Sequence, residues 1–145
     1  MSVSTKSPIR NMAEYLRGQW RAVRGGTYFV KRGPILWADF DFEAHPRAVA
    51  ILIDDHTFLR DINDVNVAFE IGARMPSGRE PEVDDGLLEE LTDDAKWVIR
   101  QLVKGTDSVG DAVVLRLEHK SARIREWHDP DMKVQGVICT FLAAL

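Results

Sequence analysis

The run DDGLLEELTDDAKWVIRQLVKG, residues 84–105, decides how the rest of the chain is read. Leu87, Leu88, Leu91, Ala95, Val98, Ile99, Leu102 and Val103 recur at spacings of three and four, which predicts an amphipathic helix. Val83-Asp84-Asp85 brings carboxylates to its start, where the helix dipole favours them. Lys104 and Gly105 supply a C-terminal cation and a left-handed cap. Projected at about 100° per residue, the apolar positions fill one arc, and Glu89, Glu90, Asp93, Lys96 and Arg100 fall outside it. Trp97 falls outside it too. An indole on the polar side of a helix calls for a cover, either a loop or the N-terminal arm of the same chain, or a neighbouring subunit.

Working outward, Ala48 to Ile53 is a compact β-type run closed by Asp54-Asp55. Val65, Val67, Phe69, Ile71 and Ala73 alternate with Asn66, Ala68, Glu70 and Gly72 as a half-buried strand does. Met75 to Val83, with Pro76, Gly78 and Pro81, reads as a loop leading into the helix. Beyond the helix, Ala112 to His119 alternates as a strand, Ala122 to Trp127 reads as a further short one, and Asp129-Pro130-Asp131 is turn chemistry. Val134 to Leu145 is apolar on both faces apart from Gln135 and Thr140, which suits a central strand or one whose outer face is covered.

At the N-terminal end, Ser7 and Pro8 form a helix start. Ile9, Met12, Leu16, Trp20 and Val23 mark a core-facing stripe, and Gly25-Gly26 ends the helix. Arg10, Arg17, Arg21 and Arg24 project to one flank as an arginine ridge, which is either solvated or placed to grip phosphates. Between this helix and the first strand, residues 33–46 form a connector in which Trp37, Phe40 and Phe42 partly alternate with Asp39, Asp41 and Glu43, the pattern of a short edge strand. The expected order is helix, two strands, helix, three strands. It gives an α+β fold, one domain over 1–145, with a mixed, mostly antiparallel sheet of four to five strands and two helices packed on one face.

A chain of 145 residues with 45% hydrophobic and 29% charged residues builds a full core without disulfides or metals. Its single cysteine, Cys139, lies in an apolar run and reads as a small buried hydrophobe. No apolar run reaches the length of a membrane span, and Met1 to Lys6 lacks a signal-peptide core, so synthesis in the cytoplasm is expected. The net charge of −4 is unevenly spread: the helical segment 1–33 carries +6 and the remainder −10. A basic N-terminal segment of this kind meets something acidic, either nucleic acid or the acidic body of another copy.

Reactive chemistry finds little support in these residues. Asp54-Asp55-His56 and His128-Asp129-Pro130-Asp131 hold metal-ligand types. Asp111 with Glu118-His119-Lys120 fits the loose nuclease pattern of an aspartate followed by Glu-x-Lys. Both patterns also arise from ordinary strand ends, turns and solvent faces. There is no P-loop, dinucleotide-binding glycine pattern, nucleophile elbow or paired CxxC, and His45 before Pro46 reads as a loop residue. No cofactor, metal or catalytic residue is assigned.

Pro46 to Ile53, the alternating strand Val65 to Ala73, the helix from Leu87-Leu88-Glu89-Glu90-Leu91 to Leu102, and the closing Gly136-Val137-Ile138-Cys139-Thr140-Phe141 strand together resemble the tail terminator proteins of long-tailed bacteriophages. The likeness lies in order, spacing and total length. It implies a non-enzymatic α+β subunit that forms a ring, commonly a hexamer, at the head-proximal end of the virion tail. Such a ring stops elongation of the tail tube protein, joins it to the head-tail connector, and lets DNA pass without specific binding, after synthesis in the bacterial host cytoplasm. Trp97, the four arginines of the ridge, Trp37 and Trp127 are then the interface candidates, and the basic N-terminal segment is a departure from the family. The nearest rival is a neck or head-tail completion protein. From other classes come a small metal-dependent hydrolase or nuclease using Asp54, Asp55, Asp111 or Glu118, and a nucleic-acid-binding module using the arginine ridge.

Overall fold

The structure, a computed structural model, describes residues 8–54, 64–75, 85–104, 116–129 and 133–144. Helix α1 spans Pro8–Ala22, and Pro8 occupies the first helical position, where its missing N–H costs nothing. Strands β1 (Tyr28–Arg32), β2 (Arg47–Asp54) and β3 (Asp64–Arg74) follow, then helix α2 (Asp85–Lys104), and finally β4 (Arg116–Asp129) and β5 (Val134–Ala144). The five strands form one sheet in the order β1-β2-β3-β5-β4. Only the β1–β2 pair is parallel, so the sheet is mixed and mostly antiparallel, and the fold is α+β as expected.

The register puts Val49, Ile71 and Val137 in one cross-strand row and Ile51, Phe69 and Cys139 in the next. These residues share a single apolar cluster with Met12, Leu16 and Trp20 of α1 and Leu88, Leu91, Ala95 and Val98 of α2. Along the strand order, α1 lies against β1 and β2, and α2 against β5 and β4. Trp20 is fully buried and meets Tyr28 and Phe69 edge-on, with ring centroids 5.0 and 5.3 Å away. Cys139 is buried beside them, and that burial pushes its thiol pKa up, with Lys96 opposing. The intervening residues Ala48 and Ala50 point to the opposite face, where they meet Ile35, Trp37, Phe40 and Leu52.

Four expectations need correction. Tyr28–Arg32, between Gly25-Gly26 and Gly33, is a strand. Its five residues are too short to show a period, and a parallel edge strand buries little but alternate side chains. The connector 33–46 has no edge strand. It crosses the sheet, as a parallel pair requires, and makes a 3-10 turn at Trp37–Asp39. Downstream, the two strands expected at Ala112 to His119 and Ala122 to Trp127 are one long β4, with its register shifted between Glu118 and Arg123. Residues 112–115 lie outside the described residues, as does the expected loop from 76 to 83. The order is therefore helix, three strands, helix, two strands.

β5 sits between β3 and β4, in keeping with a sequence apolar on both faces. Among the described residues, no helix is long and apolar enough to cross a membrane.

Candidate interaction surfaces

The chain leaves α1 through three successive positive-φ residues, Arg24, Gly25 and Gly26, at 49°, 66° and 84°. This turn takes Arg24 off the helical flank where the sequence placed it. Its Nε reaches both carboxylate oxygens of Asp94 on α2, at 2.8 and 2.7 Å, and its Nη1 lies 3.7 Å from Glu90. The hydroxyl of Tyr28 donates to Asp94 Oδ2 at 2.6 Å. Arg47 at the start of β2 donates to Glu90 and lies 3.6 Å from Asp94. The arginine ridge is thus reduced to Arg10, Arg17 and Arg21, and Arg24 instead ties α2 to the turn between α1 and β1, as Tyr28 ties it to β1 and Arg47 to β2. Of the remaining three, Arg10 lies 3.6 Å from Glu14, Arg21 is exposed, and Arg17 is half-buried with its Nε enclosed and without a hydrogen-bond partner.

The electrostatics of this cluster favour its present protonation. The hydrogen bond to Asp94 raises the Arg24 pKa against the opposing effect of burial. Burial pulls Arg47 down, but the hydrogen bond to Glu90 and the neighbouring charges outweigh it and leave the value raised. Burial, then the bond to Asp94, pushes the Tyr28 phenol far above its ordinary value, so it remains a neutral donor at any pH the fold meets. Two arginines, two carboxylates and one phenol pair here, with the buried Arg47 Nη1 left without a hydrogen-bond partner, which makes the group a brace between layers.

Trp37 and Trp127, far apart in sequence, meet on the outer face of the sheet with centroids 5.4 Å apart. Trp37 also stacks on Phe42 at 5.9 Å and 15°, touches Phe40 edge-on, and donates its indole N–H to Glu70. Phe29 and His45 extend the group beyond Phe40. The floor is a pair of facing glycines, Gly72 and Gly136. A Cβ on Gly72 would come within 2.6 Å of the Trp37 ring, and one on Gly136 within 2.6 Å of Trp127 and 1.9 Å of the Ile71 carbonyl oxygen. Glycine in a strand interior marks such a close approach, a signal present in the sequence but not read from it. The two tryptophans thus pack largely on each other and on the sheet, while Leu36, 74% exposed, and Phe29, 37% exposed, reach solvent beside them.

Beyond the aromatic group the same face is open. A cleft there is lined by Pro34, Leu52, Ala68 and Thr140, with Arg32. On the helical side, Trp97 stands 41% exposed while its neighbours Val98 and Ile99 are buried, as the helical projection requires. A second cleft, beside α2, is lined by Asp85, Glu89, Asp93 and Lys96 together with Glu126 of β4. Among the described residues, no group of three or more His, Cys, Asp or Glu side chains is arranged to hold a metal ion. Asp55, His56, Asp111, Pro130 and Asp131 lie outside the described residues, and the side chains of Asp54, Glu118, His119, Lys120 and His128 are not described either. No protein-family model matches this chain, and no curated protein matches it.

Proposed function

We propose that the protein is a structural subunit of a phage or phage-like particle, a tail terminator whose copies join in a ring, cap the tail tube and connect it to the head. The observation that carries this reading is Trp97, a large apolar ring held 41% in water by a helix whose opposite side is fully packed. Burying such a ring against a partner returns its apolar area at about 25 cal/mol per Å2, and tryptophan anchors are the typical centre of an interface. Leu36, 74% exposed on the other face of the sheet, offers a second contact. Two contact faces suit a subunit that touches both its own copies and the ends of a tube and a connector. The order and spacing of the strands and of α2 add the family resemblance, and the mechanism is steric: patches on the ring occupy the growing end of the tube.

Tail tube protein polymerised with and without this chain, and measured by electron microscopy, tests the reading. Substoichiometric addition shortens the tubes and places a ring at one end. Unchanged tube lengths with no terminal ring overturn it, and capture by the connector alone assigns the neck role instead.

A further inference from the structure

The two helices carry opposite charge on flanks that face away from each other. The Tyr15 hydroxyl donates to the Gln101 carbonyl at 3.1 Å, and Arg24 just after α1 holds Asp94, so the helices run antiparallel with these residues between them. Arg17 is about 200° around the helix from Tyr15. Arg17 and Arg21 therefore lie on the flank of α1 turned away from α2, on the side of the β1 edge, where Arg32 is also exposed. Glu14 on that flank lies 3.6 Å from Arg10, and Lys31 alternates to the other face of β1. On α2 the exposed carboxylates Asp85, Glu89 and Asp93 border the cleft that Glu126 of β4 completes, at the opposite end of the strand order. Lys96 also lines this cleft, and Arg125 alternates to the other face of β4.

We infer that the outward flank of α2 is the docking surface for α1 of a second copy, with Arg17 and Arg21 of one copy entering the cleft of Asp85, Glu89, Asp93 and Glu126 on the next. This contact rests on the ring reading and specifies its subunit interface. Because the basic and acidic flanks sit at opposite ends of one sheet, the contact is heterologous: each copy gives one flank and receives the other, and a closing rotation makes a ring. Like-charged flanks repel, so two copies cannot meet basic end to basic end, which sets a single direction around the ring.

The test reverses one flank at a time on the full chain. Arg17→Glu with Arg21→Glu makes both ends acidic, and Glu89→Arg with Asp93→Arg makes both ends basic. All four positions are solvent-facing or half-buried, and circular dichroism with thermal melting checks that each variant folds. By mass photometry, in solution and on tube ends, each variant alone should lose association at least about tenfold at low salt. A one-to-one mixture of the two should recover it in alternating order. Rings formed by folded reversed variants as readily as by the native chain, or a mixture that stays dissociated, overturn this contact and leave the terminator reading standing. A native chain that stays monomeric in solution and on tube ends overturns both.

Discussion

Gly136 illustrates how much one missing carbon atom decides. Its Cβ would lie 1.9 Å from the Ile71 carbonyl oxygen, a backbone atom of the neighbouring strand that cannot step aside, and 2.6 Å from Trp127. Gly136→Ala should therefore cost about 2–3 kcal/mol by overpacking, read as a lowered urea midpoint with unchanged slope. Gly72→Ala meets the Trp37 ring first, at 2.6 Å, a side chain rather than backbone, and serves as the milder comparison. Equal effects at the two positions would mean that the β3–β5 contact is looser than the structure has it. Tryptophan divides the same way at this scale: Trp20 is fully buried in the core, and Trp97, also on a helix, is 41% exposed. Hydrophobic periodicity separates these two, since each follows from its place on a wheel. It is silent on Trp37 and Trp127, whose partners come from segments about ninety residues apart.

At the scale of elements, α2 is held twice, by its apolar stripe and by the polar brace at Glu90 and Asp94. Removing the Asp94 carboxylate leaves Arg24, Arg47 and Tyr28 facing one another without their shared acceptor. Asp94→Ala should destabilise by about 2–3 kcal/mol, less than the full cost of orphaning a buried ion, because the Arg24 side chain stays 38% exposed. Asp94→Asn keeps an acceptor for Tyr28 and should lose less. Chemical denaturation checks both, and an alanine variant as stable as the native chain would show that the brace contributes nothing. The brace was hidden in the sequence because Arg24 reads as one more arginine on a helical flank. Only the left-handed turn at residues 24–26 swings it to α2. By contrast α2, β2, β3 and β5 were legible, since long runs with a clear period declare their own element.

For the whole molecule the question is what the exposed groups meet. Trp97→Ala should leave monomer stability within about 1 kcal/mol of native, because much of the ring is already in water, far below the 3–5 kcal/mol of a buried tryptophan. Association by light scattering should fall. A large loss of monomer stability, or unimpaired association, would remove Trp97 from the interface. Its exposure is a property of one chain; whether copies cover it is a property of the assembly.

Composition and periodicity alone determined the two amphipathic helices, the strand runs of β2, β3 and β5 that give the α+β class, the burial of Cys139 and the place of Trp97 outside the apolar arc of α2, because each depends on residues close together in the chain. Tertiary structure alone decided that β1 pairs in parallel with β2, that β4 is one strand, that Arg24 braces α2, and that Trp37 and Trp127 share a glycine floor. Those features join segments distant in sequence, and which distant groups meet is set by how the layers pack, a choice no local pattern records.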